Sequence, residues 1–167
     1  MSHGDAFGKE TGRVPSPAEK SELFGRAAGE IEAILTGETD PVTILSTVVA
    51  VLHHRMPHAF WTGFYRVCGD ELRAGPYQGT PACLMIRRGA GVCGTAWAEN
   101  RTIVVDDVDA FPGHIACDAR SASEIVVPFR DADGNVAAVL DIDSTFPGAF
   151  GDEDRIALEA IAARWSP

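Results

Sequence analysis

The chain has 167 residues, of which 46% are hydrophobic and 23% charged, the make-up of one globular domain with a core of its own. Its 24 acids against 14 bases give a net charge of −10, a field that repels phosphate backbones and anionic lipid surfaces and argues against nucleic acid and membrane as partners. No apolar run approaches the ~20 residues that span a bilayer, and Met1-Ser2-His3-Gly4-Asp5 has no basic region leading into an apolar stretch, so the expected compartment is cytoplasmic.

Residues 1–15 carry no period and are expected to be a flexible lead-in; one domain is expected over 16–167. Ser16-Pro17-Ala18-Glu19 is a capping box with proline at the first helical position, and Leu23, Phe24, Ala27, Ala28, Ile31, Ile34 and Leu35 follow at helical spacing. Asp40-Pro41 opens a second helix with Ile44, Leu45, Val48, Val49 and Leu52 on one face. Ala59–Val67 is rich in aromatic and β-branched residues, Gly69-Asp70 makes a turn, and Leu72–Gln78 pairs back as a hairpin, although Gly75-Pro76-Tyr77-Gln78-Gly79 is too glycine-rich for a regular strand end. A short strand is expected over Ala82–Ile86, a short helix over Val92–Ala98 and a strand over Thr102–Val105. From 106 to 122 no period is visible, and a loop of that length is usually functional or disordered. Its Phe111, His114, Ile115 and Cys117 do not suit disorder. Glu124–Phe129 and Val136–Asp143 form a hairpin across Asp131-Ala132-Asp133-Gly134, and Phe150–Trp165 closes as a helix with an acidic first turn. Helices at the ends and strands joined by tight turns predict an α+β fold with a mostly antiparallel sheet.

Strand alternation puts Asp141 and Asp143 on one face and Leu140 and Ile142 on the other, and the hairpin brings Glu124 towards the two aspartates. Such a group is either a solvated surface or a pocket wall in which crowding raises at least one carboxyl pKa. The chain has four cysteines and no Cys-x-x-Cys pair. Each is read as a packed small hydrophobe or as redox chemistry. Cys93 stands at the start of the short helix, a setting that stabilises a thiolate. Cys117 lies in the long loop beside Asp118, with His114 three residues back, and Cys83 follows Pro81 on the short strand. A zinc site using His114 and three cysteines is a further reading, weakened by the lack of paired spacing. Cys68, beside a turn glycine, has no comparable setting. Trp61 and Tyr65 share a face of the first strand and serve either as core or as an apolar pocket wall.

Six segments in order then resemble one family. They are Trp61-Thr62-Gly63-Phe64-Tyr65, Gly75-Pro76-Tyr77-Gln78-Gly79-Thr80-Pro81-Ala82-Cys83, Gly91-Val92-Cys93-Gly94-Thr95-Ala96, Phe111-Pro112-Gly113-His114-Ile115-Ala116-Cys117-Asp118, Ser123-Glu124-Ile125-Val126-Val127-Pro128 and Val139-Leu140-Asp141-Ile142-Asp143-Ser144. From about Ser16 to Trp165 the chain is similar to the free methionine-(R)-sulfoxide reductases, each a single catalytic GAF domain. Cys68 has no counterpart in that pattern.

The resemblance implies a GAF-type fold: an antiparallel sheet of about six strands, with the N- and C-terminal helices packed on one face and the pocket on the other. It implies reduction of free methionine-(R)-sulfoxide, with Cys117 as nucleophile, Cys83 as resolving thiol and Cys93 as a second or alternative resolving thiol. The helix-start setting keeps Cys93 in contention as nucleophile. Glu124, Asp141 and Asp143 are the implied acids, for protonating the sulfoxide oxygen and holding the substrate ammonium, with Trp61 and Tyr65 covering the methyl group. No metal and no bound cofactor are implied; reducing equivalents would come from thioredoxin or a similar dithiol protein. A homodimer is one expectation from the apolar faces of the leading helices, which could equally pack on the sheet. The alternative function is a non-catalytic GAF sensor of a small molecule, for which three cysteines around one pocket have no use.

Overall fold

The computed structural model describes residues 12–115 and 117–166. Most of the expected lead-in therefore lies outside the described residues. Of its last stretch, the Gly12 N–H donates to the Pro57 carbonyl at 2.8 Å. The chain runs α1 (Pro17–Leu35), α2 (Pro41–Arg55), β1 (Ala59–Cys68), β2 (Glu71–Gln78), β3 (Met85–Arg87), α3 (Gly91–Glu99), β4 (Ile103–Val105), a 3-10 turn at Val108–Ala110, β5 (Ser123–Arg130), β6 (Val136–Ser144) and α4 (Asp152–Trp165). The six strands form one antiparallel sheet in the order β3-β2-β1-β6-β5-β4.

The helices start where their caps place them. The Ser16 hydroxyl accepts from the Glu19 N–H while the Glu19 carboxylate accepts from the Ser16 N–H, and Asp40 caps α2 through the Thr43 N–H at 2.8 Å. One face of the sheet receives α1, α2 and α4. Phe24, Ile31 and Leu35 of α1, Leu45, Val48 and Leu52 of α2 and Leu158 and Ile161 of α4 pack on Phe64, Ile125, Val127, Phe129, Leu140 and Ile142. The apolar faces of α1 and α2 that the sequence marks out pack on the sheet within the chain, while Ile34 and Val42 stay exposed. The opposite face is covered by α3, whose Val92, Cys93, Ala96 and Trp97 meet Trp61, Tyr65, Val126 and Val139. Among the described residues no helix is long and apolar enough to cross a membrane.

Two expectations need correction in detail. The strand expected at Ala82–Ile86 begins only at Met85, so Cys83 sits in a loop rather than on a strand. Pro81 has no N–H for a ladder, and the Thr80 carbonyl is taken by the Trp61 indole N–H at 2.9 Å. The glycine-rich stretch does belong to β2, but through an irregularity: Gly63 pairs with Tyr77 and Tyr65 with Ala74, so Gly75 and Pro76 together oppose Phe64.

Candidate active site

The hairpin register builds the acidic wall. Glu124 is the direct cross-strand partner of Asp143, and Val126 that of Asp141, so Glu124, Asp141 and Asp143 emerge on one face. On the other side of β6, Trp61 pairs with Asp143 and Gly63 with Asp141. Gly63 is required here: a Cβ at this position would lie 2.4 Å from both the Trp61 ring and Tyr77 Cβ. The space it leaves lets Trp61 lie between two aromatic rings, with Tyr65 stacked at 5.9 Å and Tyr77 at 5.5 Å between centroids. Carboxylates and aromatic wall thus meet in one cavity, closed above by α3 and by the loop that carries Cys117. The solvated-surface reading of Asp141 and Asp143 does not hold.

Cys83 and Cys117, 34 residues apart, are joined by a disulfide with their Cα atoms 5.5 Å apart at the edge of this cavity. The pair needed for a resolving step is therefore in bonding reach. Thr80 and Asp118 stitch the two loops beside the bond: the Thr80 hydroxyl donates to the Asp118 carboxylate at 2.8 Å. Arg120 donates to the same carboxylate at 2.8 and 3.0 Å, and these bonds hold the Asp118 pKa well below the ordinary range. With two of its three cysteines so joined, the zinc reading that used His114 and all three thiols has no complete donor set in this state.

Cys93, on α3 above the acidic wall, is buried, with Sγ 4.0 Å from Glu124 Oε1. The thiolate expected from its helix-start position is not favoured. Burial, and then the charges of Asp141 and Glu124, push its pKa well up. The same burial and crowding raise the carboxyls. Glu124 is pushed well up by desolvation and by Asp143, and Asp141 by desolvation and by both neighbours. Asp143 is pushed up to about 6 by burial, with the Ser121 hydroxyl, donating at 2.7 Å, opposing the rise. His114 Nε2 lies 3.6 Å from Glu124 Oε2.

All the residues singled out from the sequence reach this cavity: Trp61, Tyr65, Cys83 beside it, Cys93, Cys117, Glu124, Asp141 and Asp143. Cys68 is exposed and remote from it. Sequence reasoning missed Thr80, Ser121 and Tyr77. Thr80 and Ser121 stand in aperiodic loops, where no pattern marks a side chain as inward. Tyr77 had a readable signal, since it lies opposite the strand carrying Trp61.

Residues 40–166 match the GAF domain model. The chain is 43% identical over 145 residues to "Free methionine-R-sulfoxide reductase" of Escherichia coli (strain K12), covering 87% of each chain. It is 38% identical over 154 residues to the protein of the same name from Saccharomyces cerevisiae, covering 88% of this chain and 86% of that one. The crystal structure of free methionine-R-sulfoxide reductase from Neisseria meningitidis, in complex with its substrate, superposes with a TM-score of 0.84 at 41% identity, over 95% of this chain and 94% of that one. A GAF fold carrying a disulfide-linked cysteine pair on a buried carboxylate pocket, at this level of identity over nearly the whole chain, places the protein in the free methionine-(R)-sulfoxide reductase family of GAF domains.

Proposed function

We propose that the chain reduces the R epimer of free methionine sulfoxide to methionine. The observation that carries this reading is the Cys83–Cys117 pair bonded at the mouth of a pocket floored by Glu124, Asp141 and Asp143. A sulfoxide sulfur is a poor electrophile until its oxygen is protonated. A carboxyl group held neutral by burial among like charges supplies that proton. Glu124 and Asp141, both pushed well up, are suited to the task. Cys117, on the accessible loop, attacks sulfur; methionine leaves and the oxygen remains on Cys117 as a sulfenic acid. The Cys83 thiol condenses with it, releasing water and forming the disulfide. A dithiol protein of thioredoxin type returns both thiols by exchange. Cys93, protonated and buried, comes last in the order of attack and stands as a reserve thiol.

Specificity for the free amino acid follows from charge. The substrate ammonium needs an anion, and Asp143, with a pKa of about 6, is ionised at neutral pH. A residue inside a peptide has no ammonium to offer. Trp61 and Tyr65 supply the apolar wall for the methyl group. Cys117 lines the cavity, so reduction of the disulfide frees its thiol towards a bound sulfoxide. A cycle that depends on protein dithiols belongs in a reducing compartment, and the cytoplasm is that compartment.

The test is turnover of the separated R and S epimers with a thioredoxin-type donor, for wild type and Cys117→Ser. Reduction of the R epimer alone, abolished in the variant, is the expected result. If the wild-type protein turns over neither epimer, the reading is lost and a ligand-binding GAF sensor replaces it.

A further inference from the structure

The cavity carries more ligating chemistry than the reduction uses. Cys93 Sγ, one Glu124 carboxylate oxygen and one Asp141 carboxylate oxygen all lie within 4.8 Å of one another. The three residues are only 4%, 5% and 6% exposed. Asp141 lines the cavity, and its Oδ1 is buried without a hydrogen-bond partner. An orphaned carboxylate oxygen in the interior is costly, and either a proton or a cation relieves it. No lysine or arginine stands among the described residues that line this cavity. The cavity has room for at least one water, and so for a single ion.

We propose that Cys93, Glu124 and Asp141 form a binding site for one thiophilic divalent cation of the zinc type in the oxidised protein. A mixed set of one sulfur and two carboxylate oxygens is chemistry that zinc accepts. Bond lengths of about 2.3 Å to sulfur and 2.0–2.2 Å to oxygen space tetrahedral donors by roughly 3.3–3.8 Å. A movement of about an ångström by each side chain closes the present group onto that spacing. His114, whose Nε2 is 3.6 Å from Glu124 Oε2, stands beside the group as a fourth donor, with water as the other candidate for that position. On binding, the Cys93 thiol proton and any proton held by the carboxyls pass to solvent, and no electron moves. The donor set differs from the one considered on sequence grounds, because Cys83 and Cys117 are spent on each other. If the reductase reading holds, an ion here also occupies the carboxylates that the substrate needs.

The test uses the full chain carrying Cys68→Ser, oxidised so that Cys83 and Cys117 are bonded. Cys93 is then the sole remaining thiol of the four cysteines. The protein is titrated with Co²⁺ as a spectroscopic probe, and with Zn²⁺ followed by gel filtration and elemental analysis. The expected result is one retained zinc per chain and a thiolate-to-cobalt charge-transfer band. The band should be absent from Cys93→Ser, and affinity should fall at least tenfold in Asp141→Asn. No retained zinc, or cobalt binding without the thiolate band, overturns the proposal even if both variants fail to fold. Binding that survives unchanged in folded Cys93→Ser also overturns it. Since no substrate is present, failure here leaves the reductase reading untouched, and a protein inactive towards either epimer can still show the band.

Discussion

Glu124 sits opposite Asp143 across the β5–β6 ladder and within 4.0 Å of the Cys93 sulfur, in a site where burial favours its neutral form. Glu124→Gln keeps the shape and the neutral charge but removes the transferable proton. Urea midpoints should therefore stay at or slightly above wild type, while turnover falls by roughly 10²–10⁴-fold. Equal loss of both would mean that Glu124 is structural. Asp143 gives a pH-dependent counterpart. Its folded pKa of about 6 is above the unfolded carboxylate value, so the folded state holds the extra proton. That contribution to stability is complete below about pH 4 and is lost as pH rises through about 6. Asp143→Asn should reduce the decline in urea midpoint over that window, and a decline as steep as wild type would refute the assignment. At this scale the site was largely legible. Strand alternation is enough to put Asp141 and Asp143 on one face. The protonation state of Cys93 was not, because a helix start favours a thiolate and only the packed structure shows that burial and two carboxyls outweigh it.

Helix α3 forms the roof of the site, and Gly94 is what lets it sit there. A Cβ at Gly94 would stand 2.4 Å from the Arg87 carbonyl oxygen and 3.1 Å from the Gly89 N, both backbone atoms that cannot swing aside. The Gly94 carbonyl also accepts from the Gly89 N–H at 2.8 Å, closing the β3–α3 turn. Gly94→Ala should lift the start of α3 from β3 and cost about 1–3 kcal/mol, the usual range for overpacking. The displacement carries Cys93 with it, so activity should drop more than the lost stability alone explains. Thermal melts beside turnover measured well below the melting temperature would separate the two effects, and wild-type behaviour in both would show that the turn has slack. Most elements could be read from their local signals, including the caps of α1 and α2 and the β5–β6 hairpin. The edges could not. β3 is three residues long and is set by its pairing with Glu71–Arg73, a tertiary event with no local pattern.

Across the whole molecule, one buried ion pair joins parts of the chain that the sequence gives no reason to connect. Lys20 of α1 donates to Asp154 of α4 at 2.5 Å and to the Ala149 carbonyl at 2.6 Å, and both charged side chains are almost wholly buried. Asp154 also accepts from the Gly151 N–H at 2.8 Å, capping α4, and its other oxygen lies 3.5 Å from His58 Nε2. His58 in turn packs on Phe150, and its carbonyl accepts from Ser144 at the end of β6, the residue after Asp143. The first and last helices are thereby tied to the strand end that carries the acids. Their charge predicts solvent for both, yet each falls in register with the buried stripe of its helix, and the docking of α1 on α4 brings them together across 134 residues. Removing one partner strands the other charge in the interior, so Lys20→Met should cost about 3–5 kcal/mol. Replacing both, with Lys20→Met and Asp154→Leu, should recover part of that cost, less the lost α4 cap of ~1 kcal/mol. The pH dependence has the opposite sign to that of Asp143. Burial raises the Asp154 pKa, but the nearby His58 ring and the hydrogen bonds from Lys20 and the Gly151 N–H outweigh it, and the net direction is down. Its contribution is present above the unfolded carboxylate value near pH 4 and is lost as pH falls through the lower folded value. Wild type should therefore lose stability on acidification below about pH 4, and the double variant should lose less. Urea midpoints from pH 2.5 to 5 decide it. Parallel curves for the two proteins would mean that the buried pair is not what acid breaks.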